Sequence, residues 1–480
     1  MSENIKVITI IGPTAVGKTN LGIRLAKYLD GEIISGDSMQ LYKELTIGTA
    51  KVTAKEMQGV PHHLIDIINV DDNYSVQEFQ KSVRELIHDI HDRGRLPIIV
   101  GGTGLYIKAA LYDYEFNEHP HQWQTNQKYE NYDNQELYDY LVSIDAESAK
   151  ILHPNNRRRV LRAIEIYEQS GEKKSDRLLK QEKTPIYDVF MIGLTCERTK
   201  LYQRINQRVD SMLENGLLDE INYLYHQKNV KSTMQSMQAI GYKEWFPYLE
   251  GKERFENTID KIKQNSRNFA KRQMTWFKNQ FDVHWFDVLN NNANQMEDTI
   301  IKNLLSSNFL NRIVVAGGCF WGVEAYYKKI KGICHTRVGY AQGYKENPVY
   351  HEVKDENTGH TEVVELLFNS TQISLINILD HLFRIIDPTS LNKQGGDIGT
   401  NYRTGVYYNN KEQENQILTF MNQQHKEYQD KIVVEVDLLK IFYNAEEYHQ
   451  NYLDKNPNGY CHVSFDSIKD SEKKIVIRRK

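Results

Sequence analysis

A strand that runs straight into a glycine-framed loop and then a helix constrains this chain more than any other stretch. Lys6–Ile11 (KVITII) is an unbroken, mostly β-branched run, the pattern of a strand buried on both faces of a parallel sheet. Gly12-Pro13-Thr14-Ala15-Val16-Gly17-Lys18-Thr19 follows as a complete GxxxxGK[ST], and the helical pattern NLGIRLAKYL comes next. In that setting Gly12 and Gly17 let backbone N–H groups converge on phosphate oxygens, and the helix start adds positive potential. Lys18 supplies a point charge and Thr19 a hydroxyl for a magnesium ion.

Phosphate binding leaves the reaction open. A second strand, Glu32–Ser35, ends in Gly36-Asp37-Ser38-Met39-Gln40, which sets Asp37 at the carboxyl edge where such sheets bind ligands. A third, Leu96–Val100, ends in Gly101-Gly102-Thr103-Gly104. A hydrolysing NTPase wants an acidic residue there for magnesium and water. A glycine turn and Thr103 instead favour a transferase whose phosphate is a leaving group, with a P-loop kinase or a free-nucleotide prenyltransferase as alternatives.

GPTAVGKT, SGDSMQLYKELTIGTAK, VPHHLIDI, IIVGGTGLYIKAAL, HPNNRRRVLRAIEIY and the stretch Met237–Trp245 resemble the tRNA dimethylallyltransferase family, in family order from residue 5 to about 285. The resemblance implies transfer of a dimethylallyl group from its pyrophosphate to N6 of an adenine beside the anticodon. Carried over by position, Gly12–Thr19 hold the pyrophosphate with Mg2+, and Asp37 accepts the N6 proton. Thr103 orients the leaving group or base, and Asp37, Ser38, Met39 and Gln40 hold the adenine. An allyl cation is resonance-stabilised, so catalysis reduces to neutralising the departing pyrophosphate and placing the amine in line. A single-stranded anticodon loop lowers the cost of extruding the base.

A formal net charge of −4 gives no global pull toward nucleic acid, so an RNA surface must be local. Arg157, Arg158, Arg159 and Arg162 cluster on one short helix, and KIKQNSRNFAKRQMTWFK (261–278) carries a second cluster. At about 100° per residue, Lys263, Arg267, Lys271 and Lys278 share one face, while Ile262, Phe269 and Trp276 share another. Alone, such a stripe reads more readily as a solvated charged face than as a nucleic-acid surface. The resemblance turns Arg158, Arg159, Arg162, Arg267, Lys271 and Arg272 toward tRNA, with residues 117–181 as a helical insertion clamping it. His62 and His63 lack a third metal ligand, Cys196 reads as a buried thiol, and Trp245, Trp276 and Trp285 read as packing.

A second strand–Gly-Gly pattern opens at Arg312. Ile313–Ala316 is a short buried strand, and Gly317-Gly318-Cys319-Phe320-Trp321-Gly322 leads into the helical pattern VEAYYKKI. A cysteine in a first helical turn meets unsatisfied N–H groups, so a favoured thiolate is expected at Cys319. Any cysteine-dependent enzyme, a peroxidase or a thiol hydrolase among them, fits that alone. GGCFWG with RVGYAQG, NPVYHEV, TGHTEVVEL, DPTSLNKQGGDIGTNYRTGVYY and FYNAEEYHQNYL resembles the methionine sulfoxide reductase A family. The resemblance makes Cys319 the nucleophile on the sulfoxide sulfur, Glu362 the acid, and Tyr350 and Tyr402 the hydroxyls that bind the oxygen. Phe320 and Trp321 hold the substrate methyl, with Asp397 and His449 in support. Cys461, in NPNGYC, takes the resolving position through a Cys319–Cys461 disulfide that thioredoxin reduces, while Cys334 reads as structural.

At 480 residues the chain exceeds one core and suggests about three units. The expected class is α/β: a P-loop parallel-sheet domain (1–116 and 182–287) with the helical insertion (117–181), then a separate α+β domain with a mixed sheet (312–480). The Asn- and Ser-rich stretch 288–311 reads as a connector or weak helix rather than a core element. Four scattered cysteines argue against a disulfide framework and a zinc ribbon, and fit a reducing cytosol. The expectation is a cytoplasmic, monomeric, bifunctional enzyme.

Overall fold

The computed structural model describes residues 5–114, 128–180, 184–289 and 292–475; the remaining parts of the expected insertion, connector and carboxyl terminus lie outside the described residues. Strands β1 (Lys6–Ile11), β2 (Gly31–Gly36), β3 (His62–His63), β4 (Leu96–Gly101), β5 (Asp188–Thr195) and β6 (His284–Asp287) form one sheet. Every pair in it is parallel, in the order β3-β2-β4-β1-β5-β6. β1, β2 and β4 are buried along their whole length, which is why they read as near-continuous apolar runs. β2 and β4 end together, Gly36 opposite Gly101. A Cβ on Gly101 would lie 2.3 Å from the Gly36 carbonyl oxygen, so the end of β4 must be glycine.

A separate compact unit comprises residues 75–81 and 108–186, wider than the expected insertion. Its ends are tied by an antiparallel bridge between Tyr112 and Pro185 and by the Ile186 N–H donating to Leu111 O. Helices Asn134–Ile144, Ala146–Ile151, Arg157–Ser170 and Lys174–Lys180 surround a small core of Leu137, Leu141, Val160 and Ile164. Asp133 and Glu136 close a capping box at the first of these, which fixes where it begins.

The second half is a mixed sheet. β7 (Asn311–Gly317), β8 (Ile333–Ala341), β9 (Thr361–Phe368), β12 (Thr404–Tyr408), β13 (Glu435–Leu438) and β14 (Phe442–Asn444) run in the order β13-β12-β7-β9-β8-β14. All pairs are antiparallel except β12–β13. A two-stranded ribbon, β10 (Lys393–Gln394) and β11 (Asp397–Ile398), precedes β12. Helices Phe320–Tyr327, Leu375–Phe383 and Lys411–Glu427 contribute buried residues to the core under this sheet. Among the described residues no helix is long and apolar enough to cross a membrane.

The stretch read as a connector or weak helix is a helix, and the structure corrects only its exclusion from a core. Ala293–Ser306 is an α-helix, opened by a capping box of Asn292 and Gln295. Met296, Ile300, Ile301 and Leu304 are buried in the same cluster as β1 and β5. Asn292 serves as the cap and Asn294 lies on the solvent face, and the four apolar residues recur at helical spacing. Leu304→Ala is expected to destabilise the chain by about 3 kcal/mol in urea unfolding, as for a core leucine; a connector would lose nothing.

Candidate functional sites

The first site grows from the loop after β1. Gly12 (φ 150) and Gly17 (φ 102) take backbone angles that suit glycine, and a Cβ on Gly12 would meet Leu194 O at 2.7 Å. The Lys18 ammonium turns back onto the loop, donating to Gly12 O at 2.9 Å and Pro13 O at 2.8 Å. Burial pushes Lys18 down to about 7; nearby Arg208 adds to this and Asp37 opposes it. Gln273 clamps the loop: it accepts the Thr14 N–H at 2.9 Å and donates to Gly102 O at 2.9 Å.

Two adjoining cavities meet at Asp37. The smaller, about 100 Å³, is lined by Lys18, Thr19, Ser35 and Gln40; the larger, about 330 Å³, by Ser38, Met39, Thr103, Ile205 and Arg272. Asp37, Arg208 and Gln273 line both. Asp37 accepts the Met39 N–H at 2.9 Å, and Thr103 accepts the Ser38 N–H at 3.3 Å. Burial lowers the Arg208 guanidinium and Asp37 opposes that shift, so the arginine is a poorly hydrated cation set beside the carboxylate. Oxygens of Thr19, Ser35 and Asp37 on one small cavity suit a hard cation that keeps waters and binds through substrate phosphate. No group of three or more His, Cys, Asp or Glu side chains forms a metal cage among the described residues.

Arg208 and Gln273 were missed in the sequence, though a signal was there. Arg208 falls inside the apolar stripe of Leu201, Ile205 and Val209 on its helix. Gln273 falls inside that of Ile262, Ala270 and Phe277. A polar residue within an apolar stripe marks a buried polar task.

The basic stripe on Phe255–Gln280 divides. Lys263 pairs with Asp210 at 2.5 Å, and Arg267 donates to Asn206 and Gln264 at 2.6 Å each, so these two brace helix against helix. Lys271, Arg272 and Lys278 are exposed, Arg272 with its guanidinium 5.7 Å from the Phe269 ring centre. Trp276 packs where a Gly104 Cβ would lie 2.2 Å away. In the separate unit, Arg158 and Arg159 are exposed, Arg162 pairs with Glu165 at 3.2 Å, and Arg157 bonds Tyr129 O and Tyr132 O. Cys196 is half-exposed rather than buried.

The second site forms where β7 ends. Gly318 (φ 82) turns the chain and Cys319 caps helix Phe320–Tyr327. The expected thiolate is corrected: burial first, and then the Glu362 carboxyl, push the Cys319 thiol well above its usual range, and the Trp321 N–H only partly offsets them. Desolvation outweighs the dipole of so short a helix. Glu362, the second residue of β9, accepts the Phe320 N–H at 3.0 Å. Burial raises it to about 8, aided by Asp397, so it is a neutral acid at pH 7. Tyr350 is pushed up to about 12 and Tyr402 higher still, by burial and then Glu362, so both keep their O–H donors.

The supporting contacts are specific. Trp321 Nε1 donates to His449 Nδ1 at 3.1 Å, and burial keeps that imidazole neutral. Trp321 stacks on Tyr452 at 3.8 Å, and the Tyr350 ring lies 4.5 Å from His449. Glu446, which sequence reading passed over within FYNAEEYHQNYL, accepts the Tyr350 N–H at 2.8 Å and the Tyr340 hydroxyl at 2.9 Å. Asp397 accepts the Tyr460 hydroxyl at 3.1 Å and lies 3.7 Å from His462, which holds both flanks of Cys461. The Cys461 sulfur sits 3.1 Å from where a Gly322 Cβ would be. Cys334 lies elsewhere, buried in the cluster built on β1 and β5.

The model of the IPP transferase family matches residues 40–280, and that of the peptide methionine sulfoxide reductase family matches residues 311–480. A tRNA dimethylallyltransferase of Anoxybacillus flavithermus is 53% identical over 283 residues, covering 59% of this chain and 90% of that relative. A solved eukaryotic dimethylallyltransferase acting on tRNA is 34% identical, with TM-score 0.56, over 63% of this chain and 80% of its own. Methionine sulfoxide reductase A of Corynebacterium diphtheriae is 29% identical, with TM-score 0.31, over 34% of this chain and 82% of its own.

The Glu362 shift fixes a sign. The folded chain keeps a proton that the unfolded chain releases between pH 4.5 and about 8, so this carboxyl makes the fold less stable as pH rises through that window. Glu362→Gln is expected to match the parent in urea unfolding below pH 4.5 and to exceed it by up to about 3 kcal/mol at neutral pH.

Proposed function

Because the chain belongs to the IPP transferase family and carries a peptide methionine sulfoxide reductase domain after it, we propose that one polypeptide runs two reactions. The first transfers dimethylallyl from its pyrophosphate to N6 of an adenine next to a tRNA anticodon. The second reduces methionine S-sulfoxide in proteins and as the free amino acid.

One observation carries the first reading: Asp37 stands on the wall between the small phosphate-side cavity and the larger one. Pyrophosphate bound on the loop meets the Thr14–Thr19 amides, Lys18 and Arg208. A phosphate displaces the Gly12 and Pro13 carbonyls from Lys18 and restores its charge. Magnesium, when bound at Thr19, adds charge neutralisation for the leaving group. The C1–O bond breaks with its electron pair on pyrophosphate, N6 attacks C1, and Asp37 takes the N6 proton. Thr103 holds Ser38 and thereby the adenine-side loop. Exposed Arg158, Arg159, Lys271 and Arg272 supply phosphate contacts, while Arg267 acts by positioning.

For the second reading the carrying observation is a carboxyl, Glu362, buried beside the buried thiol Cys319 and accepting the N–H of the next residue, Phe320; burial keeps that carboxyl protonated. Glu362 gives its proton to the sulfoxide oxygen, and Tyr350 and Tyr402 donate hydrogen bonds to it. Cys319 sulfur attacks the sulfoxide sulfur, oxygen passes to Cys319 as sulfenic acid, and the thioether leaves. The Cys319 proton passes to the carboxylate that Glu362 becomes on protonating the sulfoxide, and a high-lying thiol suits this order because its proton moves only when the sulfoxide arrives. Cys461 then condenses with the sulfenic acid, releasing water and forming a disulfide, which a thioredoxin-like dithiol reduces.

Labelled dimethylallyl pyrophosphate should label tRNA and leave AMP unlabelled; labelling of AMP, or hydroxyl-dependent ATP consumption, would overturn the first reading. Asp37→Asn should lower kcat by about 10²–10⁴ with little change in KM for the pyrophosphate substrate. Cys461→Ser should still release one thioether per chain in a single-turnover assay but stop thioredoxin-driven recycling. Sustained recycling in that variant would overturn the resolving role of Cys461.

A further inference from the structure

Contacts between the two enzymes gather at one place in each. On the transferase side they involve the first residue of β1, the last turn of helix Lys18–Tyr28, and the turn after His91. These lie at the amino edge of the parallel sheet. On the reductase side they involve the start of β8, the end of β9 with the turn after it, and residues near 475.

The contacts are built rather than grazing. His335 lies flat on Tyr28, ring centres 3.8 Å apart and planes 14° apart, with its Nδ1 2.9 Å from Tyr28 O. Lys6, 4% exposed, donates to Phe309 O at 2.7 Å and reaches Ser370 Oγ at 3.5 Å. Lys474 pairs with Asp30 at 2.7 Å, and Gln372 donates to His91 O at 2.6 Å. The Ile475 N–H donates to Arg93 O at 3.1 Å. Cys334 and Leu367 enter the apolar cluster of β1 and β5. Desolvated charges at a chance contact would be left unpaired; here each has a partner.

The strand directions give the contact its meaning. The phosphate loop begins at Gly12, six residues along β1 from Lys6, roughly 20 Å at strand rise. In the reductase, Ile333 pairs with Phe368 at the contact end, whereas Tyr340 pairs with Glu362 at the catalytic end, again roughly 20 Å on. Each sheet meets the other by the end remote from its own chemistry.

We propose that the amino edge of the transferase sheet is a dedicated interaction surface whose partner is this chain's own reductase domain, so that the two enzymes fold as one cooperative body with both mouths free. The surface itself requires neither catalytic reading, so its main test is calorimetric; only the closing substrate test rests on the proposed reactions. The full chain should melt in one heat-absorption peak. His335→Ala/Lys474→Ala should split that peak in two, because the Tyr28 stack and the Asp30 pair are lost together. Two peaks in the parent, or an unsplit peak in the variant at the parent's temperature, would overturn the proposal. Should the double variant fail to fold, Gln372→Ala gives a milder arm. There, hydrogen exchange at the Ile475 amide should quicken by about tenfold, and an unchanged rate would count against the surface. Saturating tRNA should shift the KM for a peptide methionine sulfoxide by less than about twofold; competition between the two substrates would mean that the mouths are shared.

Discussion

One buried ammonium holds three parts of this molecule together. Lys6 opens β1, the central strand on which the phosphate loop is mounted, and its charge is sunk among the Asn308 and Phe309 carbonyls, just past the end of the Ala293–Ser306 helix. A helix carboxyl end carries partial negative charge, so a cation there stabilises the helix while the carbonyls solvate the cation. Burial nonetheless lowers the Lys6 pKa, the sign that desolvation exceeds what nearby charges return. That cost is tolerable only where the surrounding packing is fixed. The first strand, the helix after the transferase sheet and the Asn369–Ser370 turn of the reductase are fixed together there.

Both active sites treat charge alike. Lys18 rests on its own loop carbonyls, and the Cys319–Glu362 pair rests uncharged. Neither centre keeps an isolated charge in a dry cavity, so an incoming group with charge or a strong dipole is what develops each site's polarity. A pyrophosphate does this for the lysine; a polarised sulfur–oxygen bond does it for the thiol and the acid. Low local polarity makes such changes large when they come.

What the sequence made legible was whatever depends on short stretches of chain. GPTAVGKT and GGCFWG each lie on one strand, one turn and one helix, so spacing suffices to read them. The all-parallel and mixed sheets followed from the strand patterns and the two resemblances. What stayed hidden depends on chain brought from far away. Gln273 reaches a loop some 260 positions earlier, and Glu446 reaches Tyr350 from 96 positions later. The thiol's elevation has the same origin, since no helix-start rule knows that Glu362 will be buried against it. The burial of the Ala293–Ser306 helix was missed because composition was weighed above periodicity, and Asn292 is both a linker residue and a good cap.

Cys334 has an upstream consequence for fidelity. In a free-standing reductase the start of β8 would be a surface, and a thiol there would be a bystander available to any oxidised sulfur nearby. Here the neighbouring enzyme roofs it over, and burial raises that thiol to about 12. Electrons passing through the proposed Cys319–Cys461 relay therefore meet a circuit with two terminals and no side branch. Gene fusion has supplied, as a by-product of packing, insulation for the other enzyme's wiring.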